Sequence, residues 1–153
     1  MDLPIKAFCL NGDNAKIELI ITEILDFPNT SIEGGYDVKG ILNINIGCYF
    51  VRYDNFIFAT GVIYRFLEGL EKCYQDLKGE AEYRHLYERD LEFTLEMTSL
   101  GHAVINGTFR ENPAVSTKLD FEMSTDQTFI KSAINDIKNV IKGFGGYTGL
   151  QGQ

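Results

Sequence analysis

The chain has 153 residues, 44% of them hydrophobic and 24% charged, which is the size and balance of one globular domain with a proper core. A formal net charge of -8 argues against nucleic acid as a direct partner, because binding phosphates needs a concentration of Lys and Arg that is missing here. The longest apolar runs, such as "LII" and "CYFV", fall far short of the roughly 20 residues needed to span a bilayer, and "MDLPIKAFCL" has neither the basic head nor the cleavage site of a signal peptide.

A soluble, cytoplasmic protein is therefore expected. Cys9, Cys48 and Cys73 are odd in number and widely spaced among apolar neighbours, which suits reduced, buried thiols rather than disulfides or a zinc site. No cofactor or metal is implied. No internal repeat stands out.

In chain order, "IKAFCLNGDNAKIELIITEI" carries two apolar runs around Asn11-Gly12, a pair that closes hairpins, so strands are expected near 3 to 10 and 16 to 25. "DFPNTSIEGGYD" is a loop by composition, and Leu42, Ile44, Ile46, Cys48 and Phe50 then alternate as in one half-buried strand. From Thr60 the period lengthens. Ile63, Phe66, Leu67, Leu70, Tyr74 and Leu77 form one helical stripe, with Thr60 as N-cap and Gly79 just past the end.

Four one-sided strands follow, marked by Ala81, Tyr83, His85 and Tyr87; by Leu91, Phe93, Leu95 and Met97; by Ala103, Ile105, Gly107 and Phe109; and by Leu119, Phe121 and Met123. The "TSLGH" turn, with Gly101 left-handed, sets Met97 opposite Ala103 and Phe93 opposite Gly107, so that a ring covers the missing side chain.

"FEMSTDQTFI" (121–130) packs hydroxyls, a carboxylate and an amide into one joint. Ser124-Thr125-Asp126-Gln127 fits a capping box, with Ser124 as the cap, Gln127 reaching back and Asp126 favouring the positive end of the helix dipole. Ile130, Ile134, Ile137, Ile141 and Phe144 continue the helix behind it, and Gly143 ends it. The expected class is α+β: an antiparallel sheet of about six to seven strands with two amphipathic helices packed on one face. Residues 1–144 form the domain and 145–153 a loosely packed glycine-rich tail.

His85 and His102 lack the neighbours of a base or metal ligand, and no H-E-x-x-H, G-x-S-x-G or P-loop pattern occurs. "GFGGYTG" misses the dinucleotide pattern at Thr148. Glu92 and Glu96 lie roughly 13 Å apart by strand rise, beyond the roughly 5 to 9.5 Å of paired glycosidase carboxyls. A non-enzymatic protein is expected.

Acidity is local, however: residues 80 to 126 hold ten acidic and four basic side chains. Glu92, Glu96, Asp120 and Glu122 alternate with the apolar stripe and should project together from the uncovered side of the meander, between Thr94, Val104, Asn106 and Thr108. Arg110 and Lys118 interrupt that side near one end. A broad acidic surface suits recognition of a basic protein.

"FLEGLEKCYQDLKGEAEY", "DLEFTLEMTSLGHAVINGTF" and "LDFEMSTDQTFI", in that order, resemble the WapI-type immunity proteins, small bacterial proteins encoded beside wall-associated polymorphic toxins. The resemblance runs from about Tyr36 to Phe144. Its most telling pieces are Gly101-His102 before a strand containing Gly107, and Phe121-Glu122 followed by Asp126-Gln127-Thr128. It implies a non-catalytic protein that binds the toxic C-terminal domain of its cognate partner inside the producing cell and blocks it, the toxin in many cases being a nuclease. Two other classes compete with this reading: an acidic secretion chaperone holding an extended effector segment, and a small carboxylate-dependent enzyme.

Overall fold

The computed structural model describes residues 2–150. Strands β1 (Ile5–Gly12), β2 (Ala15–Ile24), β3 (Asp37–Ile46) and β4 (Tyr49–Ala59) pair in chain order as an antiparallel meander, and helix α1 (Thr60–Asp76) follows. The same succession then recurs. Strands β5 (Glu80–Tyr83), β6 (Leu91–Met97), β7 (His102–Phe109) and β8 (Leu119–Asp126) form a second four-stranded meander, and helix α2 (Gln127–Phe144) follows it.

The α+β class and antiparallel pairing are as expected, but the eight strands divide between two sheets instead of forming one sheet of six to seven. The physical reason lies at Gly47-Cys48. The apolar alternation from Leu42 to Phe50 runs straight through a tight turn, so one expected strand is really the end of β3 and the start of β4. Cys48, expected buried, sits exposed at that turn.

Nor do the helices share one face of one sheet. Each packs on the other meander: α1 along β5, α2 along β1, with the helices touching each other. Lys138 Nζ lies 3.5 Å from Glu71 on α1. This exchange explains why β1 breaks the period of two, with Ala7, Phe8, Cys9 and Leu10 all buried in succession: one side faces the core and the other meets α2.

A single apolar cluster joins both halves. Phe8 stands 5.5 Å from Phe66, 6.2 Å from Phe93 and 6.3 Å from Tyr83, while Tyr53 of β4 meets Phe109 of β7 at 5.9 Å. Aromatic pairs at these separations add a little beyond the burial of their area.

Local signals shift by a residue or two. The first hairpin turns at Asp13-Asn14, with Asn14 at φ 52°, and Gly12 stays in the ladder opposite Ala15, where the Ser124 carbonyl leaves no room for a side chain. Ala59 caps α1, whereas Thr60 is fully buried and accepts from the Tyr36 amide at 3.0 Å. The helix ends at Leu77, which adopts φ 55° ahead of Gly79, and the apolar stripe leaves the core there, exposing Tyr74 and Leu77.

The α2 cap is Asp126, not Ser124. The β7–β8 ladder continues to the His102–Asp126 pair, so Ser124 is an extended strand residue opposite Val104 with its side chain outward. Asp126 Oδ1 accepts from the Thr128 and Phe129 amides at 2.9 and 3.3 Å, and Gln127 packs against Gly101 instead of reaching back. Gly101 is left-handed at φ 79°, and both expected pairs, Met97–Ala103 and Phe93–Gly107, are present.

Gly143 lies within α2, which ends at Gly145. Residues 145–150 are not loose: the Tyr147 hydroxyl donates to Glu68, its carbonyl accepts from Gly35, and the Leu150 amide donates to the Tyr36 hydroxyl. The remainder of the expected tail, 151–153, lies outside the described residues.

Candidate functional site

The outward side chains of the second sheet define the candidate site. Ladder register sets them in rows: Glu80, Glu96, Val104 and Ser124; then Glu82, Thr94, Asn106 and Glu122; then Glu92, Thr108 and Asp120. Strand alternation sends Phe93, Leu95, Ile105, Phe121 and Met123 of the same strands into the core. The four residues singled out above, Glu92, Glu96, Asp120 and Glu122, therefore stand on one side of one sheet, and no other element of the described chain covers them.

Two carboxylates were missed. Glu80 and Glu82 on β5 join the same surface, and the alternation with Ala81 and Tyr83 already carried the signal. Six acids thus share one sheet face. Arg84 reaches Glu82 at 3.2 Å and Glu92 at 3.7 Å, and Lys118 reaches Asp120 at 3.4 Å. Exposed pairs of this kind contribute about 0–1 kcal/mol. Among the described residues, Glu80, Glu96 and Glu122 have no ion pair.

Thr108 donates to Asp120 at 2.7 Å, and this bond, helped by Lys118, holds the Asp120 carboxyl below its ordinary range. The charge on the face is therefore kept well into mildly acidic conditions at that position.

The face carries a shallow, open depression. Short side chains at Thr94, Asn106 and Thr108, over the bare backbone of Gly107, leave an open hollow of about 660 Å³ bordered by Glu82, Glu92, Asp120 and Glu122. Gly107 is required on the other side of the sheet, where it faces the core between Phe93 and Phe121. A Cβ at that position would lie 2.5 Å from Phe93 Cβ, 2.7 Å from the Glu92 carbonyl oxygen and 2.7 Å from Phe121 Cζ.

A second polar group sits apart from this surface, under the segment joining β5 to β6. β5 ends at Tyr83, so His85 is not a strand residue, yet it is 2% exposed. Its Nε2 is 3.2 Å from the Tyr83 hydroxyl and 3.7 Å from Asp90, while its Nδ1 is 3.9 Å from Glu33. Burial raises the Tyr83 and Asp90 groups above their ordinary values, with His85 opposing the shift at Asp90. Glu33 Oε1 also accepts from the Leu86 amide at 2.6 Å, tying the 84–90 segment to the loop before β3.

That cluster is a structural tie. His102, by contrast, is exposed at the start of β7. Among the described residues, no group of three or more His, Cys, Asp or Glu is arranged to hold a metal ion. Among the described residues, no helix is long and apolar enough to cross a membrane.

A wide, open, carboxylate-lined sheet face differs from a small-molecule site, which is deeper and mostly apolar. A family comparison supplies the class. The model of the immunity protein WapI-like family matches residues 8–145, and the chain belongs to that family. The match takes in the β1–β2 hairpin, which lies before the stretch whose motifs carried the resemblance. No curated protein and no solved structure matches the chain.

Proposed function

We propose that this protein neutralises the toxic C-terminal domain of a cognate wall-associated polymorphic toxin by binding it inside the producing cell, and that the hollowed acidic face of the second sheet is the docking surface. Glu92, Glu96, Asp120 and Glu122 are its contact residues, with Glu80 and Glu82 extending the same field.

One observation carries the proposal: six carboxylates on one uncovered sheet face, half of them without a counter-charge. A surface with that field attracts a basic partner, raises its encounter rate and favours a docked orientation in which opposite charges face each other. A nuclease is the natural basic partner, because its own substrate obliges it to present Lys and Arg. Occlusion follows from size, since a sheet face covers a cleft without entering it.

The test is co-expression with a candidate cognate toxin domain. The wild type should protect growth and co-purify with the domain in a salt-sensitive complex. A folded toxin domain should bind and an extended peptide from it should not; the reverse would favour the chaperone reading. Loss of protection without loss of binding would point to an activity other than occlusion.

A further inference from the structure

On a chain of net charge -8, one concavity is basic. It is an opening of about 460 Å³ between α1 and the segment after β5, lined by Arg65, Glu82, Arg84, His85, Leu86 and Arg89. Three arginines and one acid, Glu82, line it, with Glu33 and Glu92 pairing with Arg65 and Arg84 from outside the lining.

Their charges are not fully answered by the fold. Arg84 divides itself between Glu82 and Glu92. Arg89 has no ion pair among the described residues. Arg65 donates from Nη1 to the Glu33 carbonyl at 2.8 Å and its Nη2 pairs with Glu33 Oε1 at 3.6 Å, although that buried nitrogen makes no hydrogen bond. Clustering like charges around a hollow costs free energy, and so does leaving a buried donor unpaired. An anion seated among the exposed guanidinium groups offsets the first of these costs.

The walls are also held in place. The buried His85, between Glu33 and Asp90, anchors the 84–90 segment from beneath, so Arg84 and Arg89 project from a fixed backbone and Arg65 from a helix. Preorganised donors lose little freedom on binding.

We infer that this concavity is an oxyanion-binding pocket for a phosphate or carboxylate group, the groups that match the fork of a guanidinium. It shares Glu82 with the acidic hollow and lies beside it. Two sources of oxyanion fit that position: free phosphate, or an acidic side chain flanking the basic surface of the docked toxin. Only the second source rests on the proposed function.

The test begins with the free protein. Isotope-labelled wild type is titrated with inorganic phosphate at constant ionic strength while the signals of residues 84–90 and the arginine Nε groups are followed by NMR. Saturable shifts confined to these groups are expected, with affinity falling roughly tenfold or more in Arg89→Ala. That substitution breaks no ion pair of the fold, and Lys138→Ala, on α2, should leave the titration unchanged. Shifts that do not saturate, or an undiminished affinity in Arg89→Ala, would overturn the pocket.

Repeating the titration on the toxin-bound protein separates the sources. Phosphate excluded by the toxin, together with weaker toxin binding by Arg89→Ala, identifies a partner carboxylate. Phosphate bound equally well in the complex, with toxin affinity intact, identifies a free anion.

Discussion

Gly107→Ala tests whether the second sheet is packed as tightly as the register requires. The added methyl group would meet Phe93 Cβ at 2.5 Å, the Glu92 carbonyl oxygen at 2.7 Å and Phe121 Cζ at 2.7 Å. Ordinary carbon contacts are about 3.5–4.0 Å, so each neighbour must retreat by the better part of an ångström or more. The first two are a Cβ and a backbone atom, which cannot rotate away.

Overpacking of this kind costs about 1–3 kcal/mol, and relief from glycine's own penalty in a strand returns about 0.5–1 kcal/mol. The net expectation is a loss of about 1–2 kcal/mol. For a chain of this length that lowers the melting temperature by roughly 2–8 °C. Urea unfolding should show a lower midpoint at unchanged slope. Gly143→Ala is the control: it lies in α2 with nothing within 4 Å of an added Cβ, and should be neutral or stabilising by up to about 1 kcal/mol. Equal midpoints for Gly107→Ala and wild type would refute the tight core-side packing of Gly107 against Phe93 and Phe121.

Other outcomes follow from single contacts. Asp126→Ala should destabilise by about 1 kcal/mol through loss of the α2 cap, while Ser124→Ala should stay within about 0.5 kcal/mol; the opposite order in urea unfolding would restore Ser124 as the cap. Thr108→Val should raise the Asp120 titration toward its ordinary range, observable by carboxyl NMR. Because Asp120 is lowered in the folded state, its contribution to stability is present above the ordinary Asp pKa and lost as pH falls through the folded value. Asp90 has the opposite sign: burial raises it, so its ionisation opposes folding as pH climbs from the ordinary Asp pKa through the folded value. Asp90→Asn should therefore gain stability relative to wild type over that window, and a difference flat with pH would contradict the assignment.

The second half of the chain was more legible than the first. Strict alternation from Leu91 to Met123, one tight turn with a left-handed glycine and a clear helix stripe carried register, face and core together. β4 was lost because Phe50 and Ile57 are apolar yet exposed, so its pattern did not look like a strand with a buried side. Caps slipped by one or two residues where several residues competed for one role, as at Ser124 and Asp126. The exchange of helices between meanders, which decides what each stripe covers, has no local signature.

The acidic face was visible in alternation alone. Its hollow was not, since depth depends on twist and on which small residues fall side by side. The basic pocket and the His85 tie were invisible for another reason: they join Glu33, Arg65 and Asp90, which only the fold brings together.

The most direct measurement is binding of the toxin domain to the variant carrying Glu92→Lys, Glu96→Lys, Asp120→Lys and Glu122→Lys, followed by stopped-flow across a series of salt concentrations. Association should slow roughly tenfold or more and its dependence on ionic strength should flatten or reverse, with folding intact by circular dichroism. A correctly folded variant that binds with the same rate and the same salt dependence as wild type would contradict docking on the acidic face.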